Sequence, residues 1–193
     1  MVLPIYAYGD SVLKKVGKEI DPEFPGLTEL IENMYETMYR ASGVGLAAPQ
    51  IGMSIRLFIV DTRPLLEDEE EENKEEPLNE VFINAEILSS AGEPWSFTEG
   101  CLSIPGIREN VMRQSDITMR YQNEKFETIE KTFTGVSARV IQHEYDHIDG
   151  KLFTDYLKPL KRRMLKKKLE KISKGEIEIS YKMKFPNRSP KKR

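Results

Sequence analysis

Histidine occurs only twice in this 193-residue chain, at His143 and His147, and both lie in the segment VIQHEYDHIDG, residues 140–150. On a helix, positions four apart project from one face a turn from each other. Two neutral imidazoles so placed can take adjacent corners of a metal tetrahedron. Glu144 follows the first histidine on the edge of the same face, so it can reach water at the ion without ligating the ion itself. A metal lowers the pKa of such water towards ~7, and the carboxylate can then accept and return its proton. An HExxH pattern can arise by chance on an amphipathic helix, but here the only two histidines of the chain fall at this spacing. Cysteine is scarcer still, with Cys101 alone, so the chain can form no intrachain disulfide and at most one Cys/His metal site.

The third ligand decides what kind of site this is. One group of zinc proteases continues HExxH to a third histidine, and Phe153 occupies that place. Another uses a glutamate about twenty residues on. The nearest candidate, Glu170, lies among Lys166, Lys167, Lys168 and Lys171, a poor setting for a buried ligand. Cys101 remains, in the segment EGCLS, residues 99–103, between strand segments. A thiolate suits such a metal, and the adjacent Gly100 permits close backbone approach. Taken alone, an unpaired cysteine reads as a small buried hydrophobe. Beside two histidines that lack a third partner, it reads as the ligand. No local signature supports a catalytic Cys–His pair instead.

The stretch GVGLAAPQ, residues 43–50, formally matches a dinucleotide-binding fingerprint. That loop should follow a strand and open a helix, whereas this one follows a helical pattern and carries Pro49. Its small residues suggest close backbone packing or ligand approach, and Gln50 offers an amide donor.

Around these segments the periodicities predict α+β organisation, with mostly antiparallel strands around a central metal-binding helix, an N-terminal helix and a C-terminal basic helix. Helical spacing marks 27–41, and 10–16 reads as a short helix capped by Asp10. Strand patterns cover 55–61, 81–88, 117–122 and 126–133. The metal helix runs from Thr134 or Gly135 to about Ile148, and Gly150 stands at the position of a left-handed C-cap. A basic helix spans 158–173 and ends at Gly175. Ile177, Ile179, Tyr181, Met183 and Phe185 alternate with polar residues as in one half-buried strand. Residues 1–175 read as a single catalytic domain and 176–193 as a strand with a basic tail.

Charge is unevenly spread. Residues 158–193 hold 15 Lys and Arg against three acidic residues, whereas 1–157 are strongly acidic. The basic end reads either as a docking element for a polyanion or as a solvated helix and tail. Residues 67–76 carry eight acidic side chains and one lysine and read as a solvated loop. No apolar run approaches the ~18 residues of a membrane span. The amino terminus has no signal-peptide pattern, so a cytoplasmic protein without membrane contact is expected.

Taken together and in order, GVGLAAPQ, EGCLS and QHEYDH resemble the three signature segments of bacterial peptide deformylases, over about residues 1–172. The resemblance implies metal binding by Cys101, His143 and His147, with Glu144 as general acid/base. It implies an oxyanion stabilised by Gln50 and the backbone N–H of Leu102, and a substrate backbone contacted by Gly45. The reaction implied is removal of formyl from N-formylmethionine on new polypeptides, with Fe2+ as the metal and Zn2+, Ni2+ or Co2+ as substitutes. The basic helix matches the element by which some relatives bind the ribosome. A methionine pocket needs apolar walls, for which Val44, Val136 and Val140 are candidates, though plain core packing explains them as well. Arg139 either lines the site with its stem or pairs with Glu99 to orient a ligand. The acidic stretch and the residues after 175 look like additions that leave the chemistry untouched.

Overall fold

Residues 57–60, Leu-Phe-Ile-Val, contain no polar side chain, and the structure shows why: both faces of this strand are covered. The computed structural model describes residues 1–66 and 75–187. In chain order these form β1 (Ile5–Tyr6), α1 (Leu27–Arg40), β2 (Gly45–Ala47), β3 (Leu57–Asp61), α2 (Arg63–Leu66), β4 (Asn79–Ala91), β5 (Trp95–Cys101) and β6 (Ile104–Arg113). Then follow β7 (Asp116–Gln122), β8 (Thr128–Phe133), α3 (Gly135–Ile148), α4 (Pro159–Lys174) and β9 (Met183–Lys184). Short 3-10 turns occupy Ser11–Lys14, Ala48–Ile51 and Phe153–Tyr156.

A five-stranded antiparallel sheet in the order β2-β3-β4-β7-β8 separates two cores. Alternation along β3 divides its side chains between them. Leu57 and Ile59 join Ile31, Met34 and Met38 of α1. Phe58 and Val60 join Ala138, Val140, Ile141 and Ile148 of α3 on the other face. There Phe58 and Phe82 stack with centroids 4.7 Å apart, each buried ring contributing about 1.5–3 kcal/mol. A third core lies under the β5–β6 hairpin and is closed by Leu165, Leu169 and Ile172 of α4. The helix α3 is thus central, with helices at both ends of the chain around it, as the α+β reading expects.

Local chemistry accounts for most boundaries. Asp10 caps the first 3-10 turn by accepting from the Val12 amide at 3.0 Å. Thr134 makes no side-chain cap for α3. Instead Glu75 reaches from the acidic segment to accept from the amides of Val136 and Ser137, both at 2.8 Å. The rest of that segment expected to be a loop, residues 67–74, lies outside the described residues, as do 188–193 of the tail. Gly150 takes the left-handed conformation expected of it, at φ +71, and its missing Cβ leaves room for the Lys14 carbonyl.

Two expectations need correction, and one element is unspecified in the sequence reading. The strand read from Ile177 to Phe185 is a hydrogen-bonded strand only at Met183–Lys184, parallel to Ile5–Tyr6. The alternation of burial is present throughout, but its partner strand is two residues long and follows Pro4, which has no N–H to give. The strand expected from residue 126 starts at Thr128, because Phe126, with φ 59, belongs to the preceding turn. The long β5–β6 hairpin, which carries Cys101, was visible only as unspecified strand segments.

Candidate metal centre

Cys101 is the last residue of β5, at the tip of the hairpin, where the ladder slips between Gly100 and Cys101. His143 and His147 stand one turn apart on α3, buried at 8% and 1% exposure. One donor atom from each of these three residues falls in a set whose members all lie within 4.8 Å of one another. The Cys101 Sγ lies 3.3 Å from His147 Nε2. A tetrahedral ion with bonds of ~2.3 Å to sulfur and ~2.05 Å to nitrogen spaces its ligand atoms ~3.3–3.6 Å apart. The three side chains therefore fit an ion, and one thiolate with two imidazoles suits a transition metal better than magnesium or calcium.

The orientation of His143 is fixed from behind. Its Nδ1 lies 2.9 Å from Glu99 Oε2, which leaves Nε2 for a ligand role. Glu99 is itself held by Arg113, whose Nε and Nη2 donate to its two oxygens at 2.7 and 3.0 Å. Arg139 Nη1 donates to the same carboxylate at 3.2 Å. Arg139 thus pairs with Glu99 and also borders the cleft. Arg113 reaches on to Asp146 Oδ2 at 2.7 Å, and the Tyr156 hydroxyl donates to Asp146 Oδ1 at 2.8 Å. Burial alone would raise the Glu99 pKa, but hydrogen bonds from His143 and Arg113 hold it at about 2. Burial likewise opposes charge on His143, yet Cys101 and Glu99 keep it well above the ordinary value. His147 is pushed well below, first by burial and then by His143 and Arg113.

Glu144 follows His143 on α3 and is 4% exposed. Burial lifts it to about 7, against the opposing pull of His143. Its Oε2 is buried without a hydrogen-bond partner among the described residues. Gly45, on β2, packs directly on this side chain: a Cβ there would stand 2.5 Å from Glu144 Oε1 and 2.7 Å from its Cγ. Gln50 lies in the 3-10 turn after β2, where Pro49 and the small residues 47 and 48 keep the chain tight. Its Oε1 accepts from the Ala47 amide at 2.8 Å. That bond turns Nε2 toward Cys101 Sγ, at 3.6 Å, and Ser103 Oγ, at 3.4 Å.

A cleft of about 600 Å³ opens onto this group, bordered by Val44, Gly45, Gln50, Cys101, Leu102, Val140, His143 and Glu144. Val136 does not line it. Two turns before His143, it packs into the α3–sheet core, so core packing is the correct account of that valine. The sequence reading also missed Arg113, Asp146 and Tyr156. For Arg113 a signal exists, because it follows Ile107 and Val111 in the inward phase of β6. Contrary to expectation, the segment after α4 reaches the cleft: Tyr181 lines it and donates to the Leu102 carbonyl at 2.7 Å.

Comparison with known proteins agrees with this arrangement. The polypeptide deformylase family profile matches residues 2–163. Peptide deformylases of Christiangramia forsetii and Flavobacterium johnsoniae are 56% and 53% identical, covering 97% and 96% of both chains. The crystal structure of a peptide deformylase from Legionella pneumophila superposes with a TM-score of 0.77 at 40% identity, covering 91% of this chain and 98% of that one. One from Thermotoga maritima gives 0.71 at 39% identity, over 82% and 99%. With three signature segments converging on one metal-competent cleft, this chain belongs to the polypeptide deformylase family, metal-dependent enzymes that remove the N-formyl group from nascent peptides.

Proposed function

We propose that Cys101, His143 and His147 hold an Fe2+ ion, replaceable by Zn2+, Ni2+ or Co2+, and that Glu144 is the general acid/base of deformylation. The observation that carries this reading is the convergence of one sulfur and two imidazoles beside a buried carboxylate oxygen that has no hydrogen-bond partner among the described residues. An ion held there would supply Lewis-acid chemistry and lower the pKa of water beside it. Glu144 takes the proton of the attacking water and returns it to the departing amide nitrogen, so that formate and a free amino terminus leave.

Gln50 Nε2 and the Leu102 N–H supply donors to the oxygen that gains charge as water adds to the formyl carbon. Such preset donors are typically worth ~3–4 kcal/mol. Gly45 contacts the substrate backbone and at the same time leaves the space that Glu144 fills. Val44 and Val140 are the apolar walls for a methionine side chain. A formamide is small and unhindered, so it can approach the buried group where a bulkier amide would not.

The enzyme acts in the cytoplasm, where formylated chains emerge. Its basic end, from Lys158 onward, docks on the polyanionic ribosome. The support for that docking is the excess of 15 basic over three acidic residues there.

The test is formate release from formyl-Met peptides by protein prepared without oxygen, with metal content measured on the same sample. Glu144→Ala should keep its metal and lose about 10²–10⁴-fold in kcat. Full activity in that variant rules out the general-base role.

A further inference from the structure

We infer that Tyr181, in the segment that follows α4, is a positioning residue that fixes the turn at Cys101–Leu102–Ser103 and with it the Leu102 amide. The inference rests on the reading of that amide as an oxyanion donor. Residues 102 and 103 are the two-residue tip of the β5–β6 hairpin, between a proposed metal ligand and the start of the returning strand. A hairpin tip has no ladder of its own to hold it, and the ladder beneath this one is irregular. Donors to a developing charge must nevertheless be set to within about half an ångström.

The turn obtains its rigidity from three distant parts of the chain. The Tyr181 hydroxyl donates to the Leu102 carbonyl at 2.7 Å. The Tyr8 amide donates to the Ser103 carbonyl at 2.8 Å. Gln50 Nε2 lies 3.4 Å from Ser103 Oγ. Tyr181 is in turn fixed by its neighbours, because Ile5 and Ala7 donate to the carbonyls of Lys182 and Lys184, each at 2.9 Å. Its ring and Leu102 pack on the same α1-side core. The phenol is thus aimed by a strand pairing that joins the two ends of the chain. This pairing lies partly outside the family profile, which stops at residue 163. A side chain serving only to fill space would need no hydroxyl here.

Tyr181→Phe removes the hydrogen bond and keeps the ring. We expect kcat to fall about three- to tenfold, the range for losing one net hydrogen bond. KM and metal content should stay essentially unchanged, and Tm should fall by no more than about 1–6 °C, the same hydrogen bond read as stability. Amide exchange measured on the metal-loaded full chain should accelerate in the peptide spanning 101–104 and nowhere else in the hairpin. An unaltered kcat overturns the inference. So does a fall in kcat matched by loss of metal, which would make the hydroxyl a ligand support, or a rise in KM alone, which would make the ring a mere wall. Gln50→Ala, assayed in parallel, separates this from the reading beneath it, since that variant should lose about 10²–10³-fold in kcat. If Gln50→Ala keeps full turnover while Tyr181→Phe shows both kcat loss and faster exchange, the oxyanion role of Gln50 fails and the clamp on the turn stands. If Gln50→Ala is impaired and Tyr181→Phe behaves as wild type, the clamp fails.

Discussion

Replacing Gly45 by alanine adds one methyl group and should disable the enzyme through Glu144. The added Cβ would stand 2.5 Å from Glu144 Oε1 and 2.7 Å from both Cγ and Cδ, where ordinary contact begins near 3.4 Å. The carboxylate must therefore retreat by about 0.7–0.9 Å, because repulsion inside contact distance rises steeply. The strand cannot yield instead, since Gly45 is buried and paired with Val60 in the sheet. A displacement near 1 Å at a reacting group costs about 10²-fold in kcat. Overpacking of this kind costs about 1–3 kcal/mol of stability, or roughly 2–12 °C in Tm for a chain of this length. Formate release gives kcat, and thermal unfolding gives the rest. The decisive comparison is a double-mutant cycle, because Glu144→Ala removes all three clashing atoms. In that background Gly45→Ala should cost little, leaving a coupling of about 1–3 kcal/mol. An equal drop in Tm with and without the Glu144 side chain would refute the reasoning, as would Gly45→Ala with turnover near wild type.

Three further outcomes follow from the same geometry. Arg113→Met leaves Glu99 and Asp146 with one fewer buried cation, so it should cost about 3–5 kcal/mol and weaken metal retention, read by unfolding and by metal content after dialysis. Gly150→Ala forces φ +71 on an alanine whose Cβ would stand 2.7 Å from the Lys14 carbonyl oxygen. It should lower stability by about 2–3 kcal/mol, or roughly 5–10 °C in Tm, while the metal-loaded fraction keeps its kcat. Removing the ion with a chelator should lower Tm by an amount that grows with the logarithm of free metal over its Kd. In Cys101→Ala, titrated with the same metal, that dependence should nearly vanish.

What could be read in advance was whatever depends on rare residues or long periods. His143, His147 and Cys101 were legible because no other soft ligands compete with them. The helices α1 and α3 were legible because their apolar positions repeat over four turns. The β5–β6 hairpin was obscured by Gly100, Pro105 and Gly106, which break the pattern at its tip. Arg113 had a detectable phase but no local signature, since its partners lie 14 and 33 residues away, at Glu99 and Asp146. Tyr181 was read as a strand residue on sound periodicity. What its hydroxyl meets depends on a pairing with residues 5 and 6, which no local pattern reveals.

The buried charges behind His143 are poorly explained as a source of stability. Replacing buried ion pairs by well-packed apolar groups is often neutral or stabilising, and here two guanidiniums and two carboxylates stand together below about 8% exposure. Their value lies in direction. Glu99 stands two residues before Cys101 on β5, whereas Asp146 and Arg139 share α3 with both histidines. Arg113, on β6, bonds the carboxylates of both elements. The sulfur and the imidazoles are therefore tied to one cluster through His143 itself and through Glu99 and Asp146, two and one residues from Cys101 and His147. A metal bound by these side chains would spend little of its binding energy on ordering them, and Glu144, also buried, takes no hydrogen bond from either guanidinium of the cluster among the described residues.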